Sequence, residues 1–239
     1  MYALIVCLVV PCGLVAGVAC TGSATSVSTN QASNERTNMS QTQTKTLADK
    51  LLAGDYGVFF YYPQHEMTIN RIWSEPTNPP ALEALVADIA APTKARFLAA
   101  EVLFTKDVFF LERVGRPLLA ALYAEALVKM YTGHANSWGL LWIDNDVGEV
   151  GSRFLVLGDA AVSSLIALLD VDTVVTHYEG SEEATLGNGA RYRIKDFAAY
   201  YLGRITQYPI PFHSEPSERD VEIARLREHL AKRPASSRP

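Results

Sequence analysis

The sequence predicts an all-α domain of stacked helical hairpins, and three observations carry that prediction. Apolar residues recur at i, i+3, i+4 and i+7 through most of residues 46–232, the signature of one-sided helices. Proline and glycine punctuate the run where one helix must stop and the next begin. One helix–turn–helix pattern is written twice, with Leu103 of the first copy matching Leu202 of the second. Helices with a single apolar stripe must bury it against each other, so consecutive ones pair.

The chain opens on a different composition. Residues 2–20 are almost wholly apolar and carry no charge, and the composition changes abruptly after Cys20. The stretch Gly17-Val18-Ala19-Cys20-Thr21 resembles a bacterial lipoprotein signal. In that family small residues precede a cysteine that is diacylated and becomes the mature N-terminus. The resemblance implies lipidation at Cys20, a partner membrane held by that lipid anchor, and a place in the cell envelope facing the periplasm or exterior. Several acyl chains anchor stably where one binds only marginally. An uncleaved single-pass anchor, for which ~19 apolar residues just suffice, and an ordinary cleaved secretion signal stay open beside it. Residues 21–45 are rich in Ser, Thr, Asn and Gln, with Glu35 and Arg36 the only charges before Lys45. Too little apolar area is available there to offset ordering entropy, which predicts a disordered tether.

The domain is predicted over residues 46–233, followed by a disordered tail, 234–239. Thr46–Ala53 reads as a short helix with Leu47, Leu51 and Leu52 inward, stopped at Gly54. Tyr56–Trp73 is aromatic and irregular, and two short strands and a packed loop both remain open; its aromatic run is expected to cover the core. Pro79-Pro80 opens a helix with the stripe Leu82, Leu85, Val86 and Ile89, broken at Ala91-Pro92-Thr93. In the helix that follows, Ala95, Leu98, Ala99, Val102 and Leu103 match Ile194, Phe197, Ala198, Tyr201 and Leu202. Basic residues precede both copies, Lys94 and Arg96 in one, Arg193 and Lys195 in the other.

Between them, Pro117 opens a helix with Leu119, Leu122, Tyr123, Ala126 and Met130 inward. Val150, Phe154 and Leu157 predict a short helix ending at Gly158, with Asp159 as the next N-cap. Val162, Leu165, Ile166 and Leu169 form the stripe of the helix after it, and Ile205 extends the stripe that begins at Ile194. Ser217–Lys232 closes the domain. Glu218 and Asp220 in its first turn and Lys232 and Arg233 at its end suit the helix dipole, while Ile223, Leu226 and Leu230 give it one apolar line and a polar outer face.

Over Ala81–Phe104 and Gly158–Ile205 the order is leucine-rich helix, turn, charged residues, alanine-containing helix, which resembles the HEAT-like helical repeat family. The resemblance implies a short α-solenoid of HEAT-like hairpins with loop insertions and a C-terminal capping helix. A generic helical bundle is the alternative.

Function should reside in the insertions. The middle pair carries one between its helices, with His134, Trp138, Trp142, Asp144 and Asp146; the last pair carries another at the corresponding place, with His177, Tyr178, Glu179, Glu182 and Glu183. In a stack held in register both loops emerge on one edge, where repeat proteins often bind. Aromatics beside carboxylates suit a basic or sugar-like partner. The leading expectation is therefore a membrane-tethered extracytoplasmic binding or scaffold protein with a protein partner, no enzymatic activity and no cofactor. The alternatives are an envelope enzyme, a metal-assisted hydrolase using the histidines and carboxylates of the loops, and an inhibitor or immunity-type protein.

Other classes are disfavoured. A net charge of −5 without a long basic run argues against a nucleic-acid partner. The three cysteines, Cys7, Cys12 and Cys20, all precede the domain, which excludes disulfides, CxxC zinc sites and a thiol nucleophile within it. Asp144–Glu149 is not a calcium loop, because Leu155 stands where the closing carboxylate belongs. Neither a paired-histidine metal motif nor a phosphate-binding glycine loop occurs.

Overall fold

The computed structural model describes residues 28–54, 64–129, 149–175, 188–211 and 213–232. The chain divides into two compact units, Met1–Asn38 and Met39–Pro239. Of the first unit, residues 28–38 are helical and open α1. The second unit is all-α: among the described residues no strand forms, and Val174 and Arg193 share an isolated antiparallel bridge.

Helix α1 (Ser28–Ala53) ends at Gly54 as expected, with Leu47 and Leu51 buried and Leu52 at the edge of the core. Its start departs from expectation, since much of the stretch read as tether is helical. The reason is local. Ser28–Ala53 holds neither Gly nor Pro, so a helix nucleated by the packed turns around Leu47 and Leu51 can propagate without a breaker. Helix α2 (Gln64–Ser74) resolves the open reading of Tyr56–Trp73 over its described part, replacing strand or loop with a helix. Ile69 and Thr68 are buried, and Glu66 and Arg71 sit at the dipole ends that favour them. The aromatic run lies outside the described residues.

Helices α3 (Asn78–Ala87) and α4 (Thr93–Lys106) pack as a hairpin. The prolines fall in the first turn of α3, and Leu82, Leu85 and Val86 are buried. Ile89 is not: the helix stops at Ala87, Asp88 accepts a hydrogen bond from the Ala90 N–H (3.0 Å), and Ile89 is 80% exposed in the turn. Helix α4 buries every residue from Ala95 to Leu103, so it is a central helix wrapped on all sides, where a single stripe had been expected.

The short α5 (Phe110–Val114) leads into α6 (Arg116–Lys129), which buries Leu119, Leu122, Tyr123 and Ala126; Met130 lies outside the described residues. Helix α7 (Glu149–Leu157) buries Phe154 and Leu157 and ends at Gly158, whose φ of 59° is the left-handed conformation glycine tolerates best. A 3-10 turn, Gly158–Ala161, intervenes before α8 (Val162–Leu168). Asp159 is therefore inside that turn, and Ala161 holds the N-cap position expected of Asp159. The same shift turns Ile166 outward and Leu168 inward. Gly151–Leu168 is apolar and long enough to cross a membrane by length and composition. It bends at Gly158, however, and places Phe154, Leu157, Ala161 and Leu165 in the core.

Helix α9 (Ile194–Thr206) packs on α8 and on the closing helix α10 (Pro216–Lys232). All five residue pairs matched between α4 and α9 are inaccessible to solvent in both helices. Ile223, Leu226 and Leu230 of α10 are buried as expected. An aromatic chain ties the elements together. Phe97 of α4 meets Tyr123 of α6 edge-on (5.3 Å), Tyr123 meets Phe154 of α7 (6.1 Å), and Phe154 stacks on Tyr201 of α9 (4.9 Å).

Candidate functional site

The residues expected to recognise a partner (His134, Trp138, Trp142, Asp144, Asp146, His177, Tyr178, Glu179, Glu182 and Glu183) lie outside the described residues, as does Cys20. The described residues show instead what the two insertions are rooted in. Each springs from a cluster of buried charge.

The first insertion leaves α6 after Lys129 and re-enters at α7. Near the start of α7, Arg153 donates from Nη2 to Glu101 Oε2 (3.2 Å), and its guanidinium lies over the Phe104 ring at 4.8 Å. The Tyr123 hydroxyl donates to the other oxygen of Glu101. Glu101 stands in the middle of the apolar α4 and is 5% exposed, a placement that costs several kcal/mol unless the charge is paired and hydrogen-bonded. At the departing end, Glu125 accepts from Lys129 Nζ and from Thr93 Oγ1 (2.7 Å), with Arg96 Nη1 3.7 Å away. The Lys129 contact is foremost in holding the Glu125 carboxyl below its usual range. Arg96, 5% exposed, also donates from Nε to the Val86 carbonyl (3.2 Å), an acceptor at the end of α3.

The second insertion is rooted more tightly. The Val175 N–H donates to Tyr192 O (2.7 Å) and the Ile194 N–H to Thr173 O (2.9 Å), so the strands of chain entering and leaving it are clamped side by side. Asp196, whose side chain is inaccessible, accepts from the Arg193 N–H (2.8 Å) and from Arg193 Nη2 (2.8 Å), and Arg219 Nε of α10 approaches it to 3.1 Å. Arg219 Nη1 donates to His213 O and Ser214 O (both 2.7 Å), its Nη2 donates to Ala190 O (2.7 Å), and its guanidinium covers the Tyr192 ring at 4.9 Å. One arginine thus holds both the returning end of the insertion and the entry to α10.

Outside this pair, Lys195 Nζ bridges Asp172 (2.6 Å) and Asp220 (2.8 Å). Burial pushes the Asp220 carboxyl up, but hydrogen bonds from Arg193 and Lys195 outweigh it, and the group lies below its usual range. Burial pushes Lys195 down, and its bonds to Asp172 and Asp220 carry it above its usual value. Asp220 therefore stabilises the fold above its unfolded pKa of ~3.9 and loses that contribution as pH falls through its lower folded value. Lys195 contributes fully below its unfolded value of ~10.4 and loses it as pH rises through its folded one. Wild type should be more stable than Asp220→Asn near neutral pH, and thermal melts should show that gap closing as pH falls below the unfolded value of ~3.9.

No protein-family model matches the chain, and no curated protein or solved structure matches it either. The site is therefore argued from its own geometry. Among the described residues no group of three or more His, Cys, Asp or Glu is close enough to hold a metal.

Sequence reasoning missed Glu101, Asp196, Arg219 and Glu222 as buried groups. A signal for two of them was present: Glu101 interrupts Phe97-Leu98-Ala99-Ala100 and Val102-Leu103-Phe104, and an acid inside such a run must find a partner. Arg219 likewise extends the stripe of Ile223, Leu226 and Leu230 by one turn toward the N-terminus, so it faces inward with them.

Proposed function

We propose that the chain is a membrane-tethered extracytoplasmic binding or scaffold protein, in which a short HEAT-like helical stack presents two insertions to a protein partner. The observation that carries this reading is the rooting of both insertions in buried charge clusters, Glu101–Tyr123–Arg153 for one and Arg193–Asp196–Arg219 for the other. Binding loops gain affinity when their bases are fixed by a rigid scaffold, because less ordering entropy is lost on contact. The burial of all five matched positions of α4 and α9 supports the repeated-hairpin reading. The uncharged apolar segment ending at Ala19-Cys20 supports the anchor.

Intact-mass and peptide mass spectrometry of protein purified from bacterial membranes tests the anchor. The expected mature N-terminus is Cys20 carrying a thioether-linked diacylglycerol, and Cys20→Ala should move the protein out of the processed, lipidated pool. A mature protein that retains an unmodified residue upstream of Cys20 overturns lipoprotein processing.

A further inference from the structure

A pocket of about 530 Å³ opens between the end of α1 and α2, with Asn78 at the start of α3 closing one side. Its floor is apolar. Leu47 and Leu51 are 3% and 2% exposed, and Ile72 packs against the same core. The charged residues of the lining, Lys50, Arg71 and Glu75, are all exposed and carry both signs, so they stay hydrated at the mouth and select no charge on a ligand. Asn78 donates from Nδ2 to Ile72 O (2.8 Å), which engages that nitrogen at the end of α2.

Thr68 is the buried polar residue of the lining, at 9% exposure. Other helical threonines turn the hydroxyl back on their own helix. Thr46 Oγ1 donates to Thr42 O (2.9 Å), Thr105 Oγ1 to Glu101 O (2.9 Å) and Thr206 Oγ1 to Leu202 O (2.7 Å). The Thr68 hydroxyl makes no hydrogen bond among the described residues. Nor is it sealed in the core. Among the described residues Arg219 Nε is the only fully inaccessible side-chain polar atom that lacks a hydrogen bond, so Thr68 Oγ1 keeps an accessible face, and the space Thr68 borders is this pocket. A buried hydroxyl is costly to leave without a partner. A cleft of several hundred Å³ with an apolar floor and few polar groups in it is the usual form of a small-molecule site.

We propose that this pocket binds an uncharged small molecule with an apolar body and one hydroxyl, the body lying on Leu47, Leu51 and Ile72 and the hydroxyl bonded to Thr68. A charged group on that floor would lose its hydration without gaining a counter-charge. A pure hydrocarbon would cut Thr68 off from water and leave its hydroxyl unpaired. A hydroxyl both donates and accepts, so it meets Thr68 whichever way that side chain turns. A site built around such a bond rejects the analogue that lacks the hydroxyl, because the protein's own polar group is then stranded.

The test titrates the full-length protein in lipid nanodiscs with para-ethylphenol and with para-ethyltoluene, followed through the methyl NMR signals of Leu47, Leu51 and Ile72. Para-ethylphenol should bind wild type about fivefold more tightly than it binds Thr68→Val, the worth of one neutral hydrogen bond. Para-ethyltoluene should bind Thr68→Val at least as tightly as wild type. Thr68→Ser, which keeps the hydroxyl, should keep most of the affinity for the phenol. Ala53→Trp, at the exposed end of α1, should fill the mouth and abolish binding of both probes. No binding of the phenol at millimolar concentration would mean that the pocket holds water alone. That result, equal affinity of the phenol for wild type and Thr68→Val, or undiminished binding by Ala53→Trp each overturns the proposal.

Discussion

Replacing Asp196 by alanine is expected to lower the stability of the domain by about 3–5 kcal/mol, the largest effect of any single polar substitution in it. The carboxylate is inaccessible and lies against two cations, Arg193 and Arg219, of which the second is 3% exposed. Removing the acid leaves the Arg219 guanidinium in a low-dielectric setting without a counter-charge, while Arg193 keeps Asp220 (2.9 Å), and the penalty of an unpaired buried charge exceeds the net worth of the pair. In a domain of this size the loss corresponds to a fall in melting temperature of roughly 6–20 °C. The double change Asp196→Ala with Arg219→Met should recover part of that loss, because it removes the orphaned charge with the acid. A double-mutant cycle followed by thermal or urea unfolding checks this. Equal melting temperatures for wild type and Asp196→Ala would mean that water reaches the cluster and that the root of the second insertion is not dry.

Phe154→Ala is expected to cost about 3–5 kcal/mol, for a different reason. Phe154 is 1% exposed, stacks on Tyr201 and meets Tyr123 edge-on. Its ring contacts join α7 to α6 and α9, so truncation leaves a cavity where these three helices meet. The loss of aromatic contacts adds to the transfer term. Phe154→Leu, which keeps most of the volume, should recover a large part of the stability. Urea unfolding of the three proteins tests the order. A cooperative transition that splits in two for Phe154→Ala would show that Phe154 couples α6 to α9.

A smaller effect is expected at the end of α9, where a Cβ on Gly203 would stand 2.8 Å from Tyr208 O. Gly203→Ala must push Tyr208–Pro211 away from the helix, at about 1–3 kcal/mol. Proteolysis of the segment after Gln207 provides the readout.

The helical class was legible because periodicity reports burial directly. Leu82, Leu85 and Val86, or Ile223, Leu226 and Leu230, are spaced as one face of a helix and are buried as one. The matching of α4 to α9 was legible for the same reason. Less readable were the positions at which helices end. Ile89 and Ile166 continue their stripes on paper, yet the first lies beyond a helix that stops at Ala87 and the second is turned outward after a 3-10 turn. Both outcomes depend on turn geometry, which a periodic pattern does not encode. Helix α1 shows the opposite failure. Its polar composition pointed to slack chain, but the absence of any breaker let the helix extend from the end that packs. The candidate insertions were visible as gaps between matched helices; the burial of Glu101 and Arg219 could be read from their stripes, but the partner of each charge could not, because pairing across the chain, such as Asp196 with Arg219, leaves no local spacing to read.

The clasp made by Arg219 also bears on how the protein is synthesised. During translation the segment that forms the root of the second insertion leaves the ribosome before the arginine that ties Ala190, His213 and Asp196 together. Until the start of α10 emerges, the nascent chain carries a carboxylate whose second counter-charge has not yet been made. This corner cannot close without the start of α10, and a premature stop ahead of Arg219 would release a polypeptide whose corner stays open to proteases.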